Sequence, residues 1–242
     1  MTGQTILHVI YEQLLKLEVQ SYNEWFVTTL LMEDGICCGA IAMEMTSGKL
    51  EIIKAKSIIL CTGGCGRVYE PSTNGLIVTG DGLSLAYRVG AVLMDMEMVQ
   101  YHPTTLPANG FLITEGARGE GAYLLNANDE RFMLDPRYEA TTLAEKASRD
   151  VVSRAETIEI REGRGINGCV LLDCRHIKDR ILEAFHQISE LAKDYAGVDI
   201  TNEPLPVRPG MHYIMGGIKT DTDGRCYRYN GEGITPLPGL YA

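Results

Sequence analysis

The sequence lacks the features that mark several large classes of protein. Lysine and arginine number 22 against 32 aspartate and glutamate residues, and this acidic balance argues against a nucleic-acid partner, because phosphate binding needs concentrated positive charge. The longest apolar runs, such as Ser57 to Cys61, are far shorter than the roughly 20 residues of a membrane span. Met1 to Thr5 leads directly into an amphipathic segment, so we expect no signal peptide.

The seven cysteines include no Cys-x-x-Cys pair. An odd set of this kind fits neither a disulfide framework nor a zinc site. We therefore interpret the cysteines as reduced thiols of a cytosolic protein and predict no metal site.

A glycine-rich phosphate loop is missing as well. Dinucleotide-binding folds normally carry Gly-x-Gly-x-x-Gly after their first strand, yet the composition, 45% hydrophobic and 22% charged, is typical of a globular α/β protein. The last residues, Pro238 to Ala242, end within what reads as a strand. We therefore expect an interior piece of a longer nucleotide-binding protein, truncated at both ends.

Hydrophobic periodicity in the first part of the chain predicts a helix followed by strands. Residues 5–17 have apolar side chains at helical spacing, which favours an amphipathic helix with one buried face. From Trp25 to Ile53 the pattern changes to three strands, joined by Asp34-Gly35 and Ser47-Gly48 turns, and predicts an antiparallel meander. Ser57 to Cys61 is fully apolar and predicts a buried strand of a larger sheet.

Further along the chain the predicted elements are mainly helical. We expect a helix over Leu83 to Val89 and a strand over Val92 to Gln100. A capping box at Thr142 to Glu145 predicts that a long helix begins there. Ile177 to Tyr195 predicts another amphipathic helix, and the prolines between Pro204 and Pro209 predict an extended crossing.

Two glycine loops could bring backbone close to a cofactor. Thr62-Gly63-Gly64 follows the predicted buried strand, and glycine removes the side chain that would block a flat or charged group. Thr79-Gly80-Asp81-Gly82 opens a predicted helix, where Asp81 is either an ordinary N-cap or an acceptor for a cofactor hydroxyl. Taken alone, each loop is more often a tight turn.

Four polar segments lie among glycines and prolines, as segments near a surface or cleft usually do. For any one of them a satisfied histidine or a solvated ion pair is the simpler interpretation, but together they indicate a pocket. The segments are Gln100 to Thr104, Thr114 to Gly121, Ser148 to Asp150 and Met211 to Gly217.

Taken in order, these segments resemble the flavoprotein subunit of succinate dehydrogenase and fumarate reductase. The resemblance covers essentially all 242 residues, and a set of modest motifs in the correct order makes it specific. They are Thr2 to Gln13, Thr62 to Gly64, Thr79 to Gly82, Met96 to Thr104, Leu112 to Gly121, Ser148 to Arg154, Glu159 to Gly165 and His212 to Gly217.

The resemblance implies an α/β (α+β) fold built from two domains. Residues 1–97 correspond to the latter part of an FAD-binding domain with an antiparallel meander. Residues 98–212 correspond to a capping domain, or substrate lid, inserted in it, and residues 213–242 to the truncated return of the chain. In that family a C4 dicarboxylate lies at the seam beneath the flavin ring.

The resemblance also implies roles for individual residues. Arg149 would hold the substrate and exchange its proton, and Glu115 and Arg118 match a relay from this arginine to solvent. Because a free guanidinium has a pKa above about 12, it could act as an acid only where the pocket aligns it and a carboxylate returns its proton. The remaining positions are His102, Thr114 and His212 for the substrate carboxylates, and Thr62, Gly63, Gly64 and Asp81 for FAD.

By resemblance, the expected reaction is the interconversion of succinate and fumarate by hydride transfer to or from flavin N5. The upstream phosphate loop and a second substrate-binding arginine fall outside this sequence, so we expect the chain alone to bind FAD weakly and to show little or no turnover. The expected reaction requires Arg149, His102 and His212 to converge on one anion-sized cavity.

Two alternatives stay open. L-aspartate oxidase shares the capping motifs, although Glu159 to Gly165 and Leu172 to His176 fit the succinate type better. The chain could also be a non-catalytic docking module for an iron-sulfur subunit. Members of the family are usually peripheral subunits on the cytoplasmic face of a membrane complex, together with iron-sulfur and membrane-anchor subunits.

Overall fold

A computed structural model of the protein describes residues 2–242, which form two compact units. The first contains residues 2–59 and Leu237–Tyr241, and the second contains Leu60–Pro236 and Ala242. The helices are α1 (Thr2–Lys16), α2 (Asp81–Arg88), α3 (Gly116–Gly119), α4 (Arg149–Arg161), α5 (Lys178–Ala184) and α6 (His186–Ala196). The strands are β1 (Trp25–Glu33), β2 (Ile36–Glu44), β3 (Leu50–Lys54), β4 (Ile58–Ile59), β5 (Leu93–Met94), β6 (Val99–Thr105), β7 (Tyr123–Leu125), β8 (Val170–Asp173), β9 (Leu205–Ile214), β10 (Gly217–Ile218), β11 (Arg225–Tyr229) and β12 (Ile234–Tyr241).

The first unit confirms the predicted meander. Strands β1, β2 and β3 pair antiparallel in that order, and Asp34 and Gly35 between β1 and β2 both have positive φ, at 50° and 77°. These are the backbone angles that a two-residue hairpin turn requires. Local turn chemistry therefore determines this part of the fold.

Burial was predicted less well than structure type in the first unit. The helix α1 forms as expected, but none of its residues is buried. The predicted buried face is therefore wrong. An apolar face is covered only where another element packs on it, and no described element buries a residue of α1. Strand β4 pairs in parallel with Leu240 and Tyr241 of β12, but it is short and Ile59 is 68% exposed. Its predicted burial is wrong for the same reason.

The second unit is built on an antiparallel sheet in the order β6-β9-β8-β7. Helix α4 packs against β6, β8 and β9, with Val152 and Ala155 in the same buried core as Val170 and Val207. The predicted extended crossing belongs to β9, whose pairing with β6 shifts register around Pro209. A proline there removes one backbone donor from the ladder.

Three predicted elements of the second unit differ from the structure. Residues 92–100 form no single strand, because Met98 N–H bonds to Asp95 carbonyl in a turn between β5 and β6. The capping box is wrong as well: Glu145 is buried, and its carboxylate accepts hydrogen bonds from Arg131 at 2.8 and 2.7 Å. The helix α4 therefore begins only at Arg149, after Ser148.

The predicted helix over residues 177–195 is split into α5 and α6. The break lies at Phe185, which has non-helical φ and ψ of −139° and 46°. Its ring rests against Gly116, where a Cβ would come within 2.5 Å of Phe185 Cζ. Packing of this aromatic ring outweighs the helical period, since propensity is a weak prior against tertiary contacts.

The mixed helix and sheet class that the sequence predicts is thus confirmed. All seven cysteines are free thiols. Among residues 2–242, no helix has the length and apolar character needed to cross a membrane.

Candidate active site

Pairing of β6 with β9 brings two histidines from distant parts of the chain together. His102 lies opposite Gly210 and Gln100 opposite Tyr213 in the antiparallel ladder, so His102 and His212 stand on neighbouring strands. Their ring centroids are 5.3 Å apart with an interplanar angle of 64°. A pair so placed can contact two parts of one small molecule.

Arg149, the first residue of α4, is held in one plane by three hydrogen bonds. Its Nε and Nη2 donate to Glu115 Oε2 at 3.1 and 2.9 Å, and its Nη1 donates to Gln100 Oε1 at 2.9 Å. The guanidinium is about one-third exposed, so part of it is free to meet a ligand. A charge-assisted pair of this kind is stronger and better oriented than a neutral hydrogen bond.

Glu115 also links Arg149 to a second arginine. Arg118 Nη2 lies 3.4 Å from Glu115 Oε1, and Arg118 Nη1 donates to the backbone carbonyl of Glu145 at 2.6 Å. The Arg118 side chain is only 1% exposed. Arg149, Glu115 and Arg118 thus form a continuous charged chain from the partly exposed arginine into the interior.

At its Arg118 end, the charged chain formed by Arg149, Glu115 and Arg118 reaches a second cavity. Arg118 lines a cavity of about 340 Å³ together with Glu120, Lys146 and His176, and the latter three residues are exposed. The charged chain therefore extends from Arg149 to this second cavity.

His102 is neutral and offers a donor to the site. Burial lowers its pKa to about 3, with further lowering from the charges of Arg118 and Arg149. Its Nδ1 accepts the backbone N–H of Thr104 at 3.2 Å, so the proton of the neutral ring is on Nε2. That buried Nε2 has no hydrogen-bond partner among the described residues, and an unpaired buried donor is costly unless a ligand accepts from it.

His212 is held in a similar way. Its Nδ1 lies 2.7 Å from Thr73 Oγ1, and Asn74 Nδ2 donates to its backbone carbonyl at 2.9 Å. Burial lowers the pKa of His212, followed by the charge of Arg149. Both histidines therefore act as neutral groups beside a cation.

Thr114 precedes Glu115 in the turn that leads into α3. Its Oγ1 accepts the N–H of Gly116 at 3.3 Å. The side chain is half-buried and also lines a cavity of about 450 Å³ with Leu112 and Phe185. The structure places Thr114 beside the charged chain, and its role toward a substrate stays a prediction.

The two glycine loops lie against each other. A Cβ on Gly82 would overlap the side chain of Thr62, whereas a Cβ on Gly63, with φ of 68°, would meet nothing within 4 Å. A Cβ added to Gly64 would lie 3.9 Å from Ile214 Cβ, and Ile214 follows His212 closely on β9. The open backbone at Gly63 leaves room for a flat group to approach, as a cofactor requires.

Asp81 is not the N-cap of α2. Gly80 occupies that position with a left-handed φ of 85°, and no side chain caps the helix. Asp81 is the first helical residue, is exposed, and accepts a hydrogen bond from Thr79. The N-cap interpretation is therefore wrong, and the carboxylate is accessible beside the Thr62–Gly64 loop.

Sequence reasoning missed several residues that position the site. Gln100 was noticed only as part of a motif, although its place beside Tyr101 and His102 was a usable signal. Thr73 and Asn74 lie in a loop without periodicity, where the sequence offers no signal. Their contacts with His212 depend on a pairing between distant segments.

The geometry points to a small anion with more than one acceptor group. Two guanidinium groups face one carboxylate, Glu115, so the cluster carries an excess of positive charge, and both histidines are neutral. Positive charge with a neutral N–H donor is the combination that binds a carboxylate.

The chain is similar to known proteins over nearly its whole length. The FAD binding domain family matches residues 1–242. The chain is 51% identical over 235 residues to the succinate dehydrogenase flavoprotein subunit of Rickettsia conorii, covering 96% of this chain and 39% of that protein. It is 44% identical over 256 residues to the fumarate reductase flavoprotein subunit of Mycobacterium tuberculosis, covering 100% of this chain and 42% of that protein.

A solved structure of an E. coli quinol fumarate reductase with a Glu-to-Gln mutation matches with a TM-score of 0.84 and 41% identity, over 98% of this chain and 41% of that chain. A quinol-fumarate reductase structure with menaquinol molecules matches with a TM-score of 0.78 and 44% identity, over 86% of this chain and 38% of that chain. The chain therefore spans about two fifths of the length of the relatives it matches.

Proposed function

This chain belongs to the FAD binding domain family, and from that premise we propose that it forms part of an enzyme that interconverts succinate and fumarate. The observation that supports the proposal is the close approach of the His102 and His212 rings, with 5.3 Å between centroids, near Gln100, which accepts a hydrogen bond from Arg149 at 2.9 Å. Burial lowers the pKa of both rings most, and the charge of Arg149 lowers both further. A C4 dicarboxylate has two carboxylates to match these groups.

Substrate binding relies on neutral donors and one cation. The Nε2–H of His102, the ring of His212 and the hydroxyl of Thr114 donate to the two carboxylates. Arg149 holds the substrate between them, with Glu115 and Gln100 keeping its plane fixed. Because the donors are preorganised and partly desolvated, they lose little on binding.

The Thr62–Gly64 loop and Asp81 would hold FAD. The open left-handed backbone at Gly63 and the exposed Asp81 carboxylate fit a flat group with hydroxyls. The chemistry that FAD supplies when bound is hydride acceptance and donation at flavin N5.

Arg149 exchanges the proton at the substrate carbon. Cationic Arg149 can accept a proton from the substrate carbon only as it gives one to Glu115, which already accepts two of its hydrogen bonds, and the proton on Glu115 then leaves toward Arg118 and the cavity beyond. In the reductive direction the same path runs inward. Proton transfer by a positioned group contributes about 10²–10⁴-fold in rate.

The assembly is part of the same proposal. The matched structures include quinol-fumarate reductases, and we propose that the protein docks an iron-sulfur subunit and membrane-anchor subunits on the cytoplasmic face of a membrane. The domain boundaries near residues 97 and 212 also stay proposals.

A segment exchange tests the function. This chain would replace the aligned part of the Rickettsia conorii subunit, and the chimera would be assayed with succinate, fumarate and aspartate. We expect succinate-dependent dye reduction and fumarate reduction, with the 242-residue chain alone showing weak flavin binding and little turnover. Peroxide produced from aspartate would instead identify an aspartate oxidase, and a chimera that binds FAD without any turnover would favour a docking module.

A further inference from the structure

The helix α4 carries a buried carboxyl group that the proposed reaction does not use. Glu156 is fully buried, and neither of its oxygens has a hydrogen-bond partner among the described residues. An unpaired ionised carboxylate in such a place would cost several kcal/mol. Burial accordingly raises the pKa of Glu156 well above its usual range, and the opposing charge of Arg118 only lowers it in part.

Arg118 is the charged group whose field acts on Glu156. Its Nε and Nη2 are also buried without hydrogen-bond partners, and its pKa is lowered by burial and raised by Glu115 and Glu156. The same arginine lowers the pKa of His102. A change in the charge of Glu156 is therefore felt at the substrate-binding cluster through Arg118.

The other elements packed on α4 offer little charge that could replace Arg118. Strand β6 contributes Tyr101 and His102, and β9 contributes Arg208, which acts on Cys169 just before β8. Cys169 is itself coupled to Glu156, but its pKa is raised by burial, so it is a neutral thiol. The charged residues of the neighbouring turns, Arg137 and Arg164, are bonded to Glu159.

We propose that Glu156 is an electrostatic positioning residue of the dicarboxylate site: protonated, it leaves the positive charge of Arg118 and Arg149 available to a dianionic substrate, and ionised, it weakens substrate binding. This inference rests on the proposed function. No bond to substrate is involved, because the effect passes through Arg118. The site thereby loses affinity as pH rises through the ionisation of one buried acid.

Malonate tests this in the chimera, since it carries two carboxylates but lacks the adjacent methylene pair that is oxidised. We expect its inhibition constant to rise about tenfold from neutral to alkaline pH in the parent, the effect of one buried charge near the site. In Glu156→Gln, which is neutral at every pH, the rise should be absent while the neutral-pH value is unchanged. Parallel pH profiles for the two proteins would overturn the inference.

Glu159→Gln is the matched control, because Glu159 is an equally buried glutamate on the same helix. It should keep the pH profile of the parent. If Glu156→Gln does not fold, Glu156→Met removes the same ionisation with an apolar side chain of similar size and should give the same flat profile.

Infrared spectroscopy detects the proton on the Glu156 carboxyl group directly. The 242-residue chain should show a protonated-carboxyl band at neutral pH that Glu156→Gln lacks, and absence of that band would reject the inference whatever the chimera does. A chimera that binds no dicarboxylate would refute the proposed function. An active chimera with unchanged pH dependence in Glu156→Gln would refute only this inference.

Discussion

Two charged clusters at opposite ends of α4 differ in how completely their polar groups are paired. At the C-terminal end, the fully buried Glu159 is bonded by Arg137, Arg164, Tyr138 and Asn126. At the N-terminal end, the cluster around Arg149 contains buried atoms without hydrogen-bond partners on His102 and Arg118. The contrast teaches that a cluster with all its polar groups paired stabilises the fold, whereas buried polar groups without partners mark the place where a ligand completes the network.

The largest expected effect concerns the cluster around Arg149. Arg149→Lys in the chimera should reduce succinate turnover about a thousandfold, because lysine cannot keep the planar fork that binds Glu115 and Gln100. The melting temperature should barely change. Arg154→Lys, an exposed position paired with Asp150 on the same helix, is the control and should keep its activity.

Retained turnover in Arg149→Lys would remove the contrast between the clusters and favour a docking module. A matching fall in the Arg154→Lys control would mean that α4 tolerates no change, and the result would then report on folding.

Substitution in the hydrogen-bonded cluster around Glu159 should instead change the stability of the fold. Burial alone would raise the pKa of Glu159, but hydrogen bonds from Arg164, Tyr138 and Asn126 outweigh it and lower the pKa to about 2. Since the unfolded value is about 4.3, this stabilisation is present at neutral pH and is lost as pH falls from about 4.3 through about 2. Glu159→Gln should cost about 3 kcal/mol at neutral pH and flatten the acid dependence of unfolding.

Urea unfolding of the 242-residue chain at several pH values measures this. Glu162→Gln, the half-exposed member of the same cluster, is the control and should cost much less, because solvent screens exposed ion pairs. Equal losses for the two variants would show that the buried bonds around Glu159 contribute no more than surface pairs.

The smallest expected effect concerns the hydrogen bond from Arg149 to Gln100. Gln100→Leu removes one of its three hydrogen bonds and should lower kcat about tenfold with little change in KM, the signature of a group that orients the reacting arginine. Gln100→Glu keeps an acceptor and should lose less. An unchanged kcat in Gln100→Leu would mean that Glu115 alone orients Arg149.

Local signals predicted the parts of the fold that local contacts determine. The meander, for example, followed from the Asp34-Gly35 turn. The beginning of α4 could not be predicted, because Glu145, which completes a capping box in the sequence, is bonded to Arg131 in the structure. Nor could the helix break at Phe185, whose cause is a contact with Gly116 far away along the chain.

The residue types of the candidate site were predictable, but the contacts between these residues were not. The polar segments around His102, Glu115, Arg149 and His212 are visible in the sequence, and the resemblance places them in one site. Their distances depend on the β6–β9 pairing, which no local pattern shows. Glu156 was hidden for another reason: the sequence marks it only as a charged residue within a helix.

The contact between Phe185 and Gly116 has a consequence for engineering this site. Gly116 directly follows Glu115, so the ring that fills the gap between α5 and α6 also sets where the acceptor of Arg149 stands. The two positions must therefore be redesigned as a pair, since any bulkier residue at 116 requires a slimmer one at 185. Variation at a position outside the charged cluster is in this way tied to the geometry of the cluster.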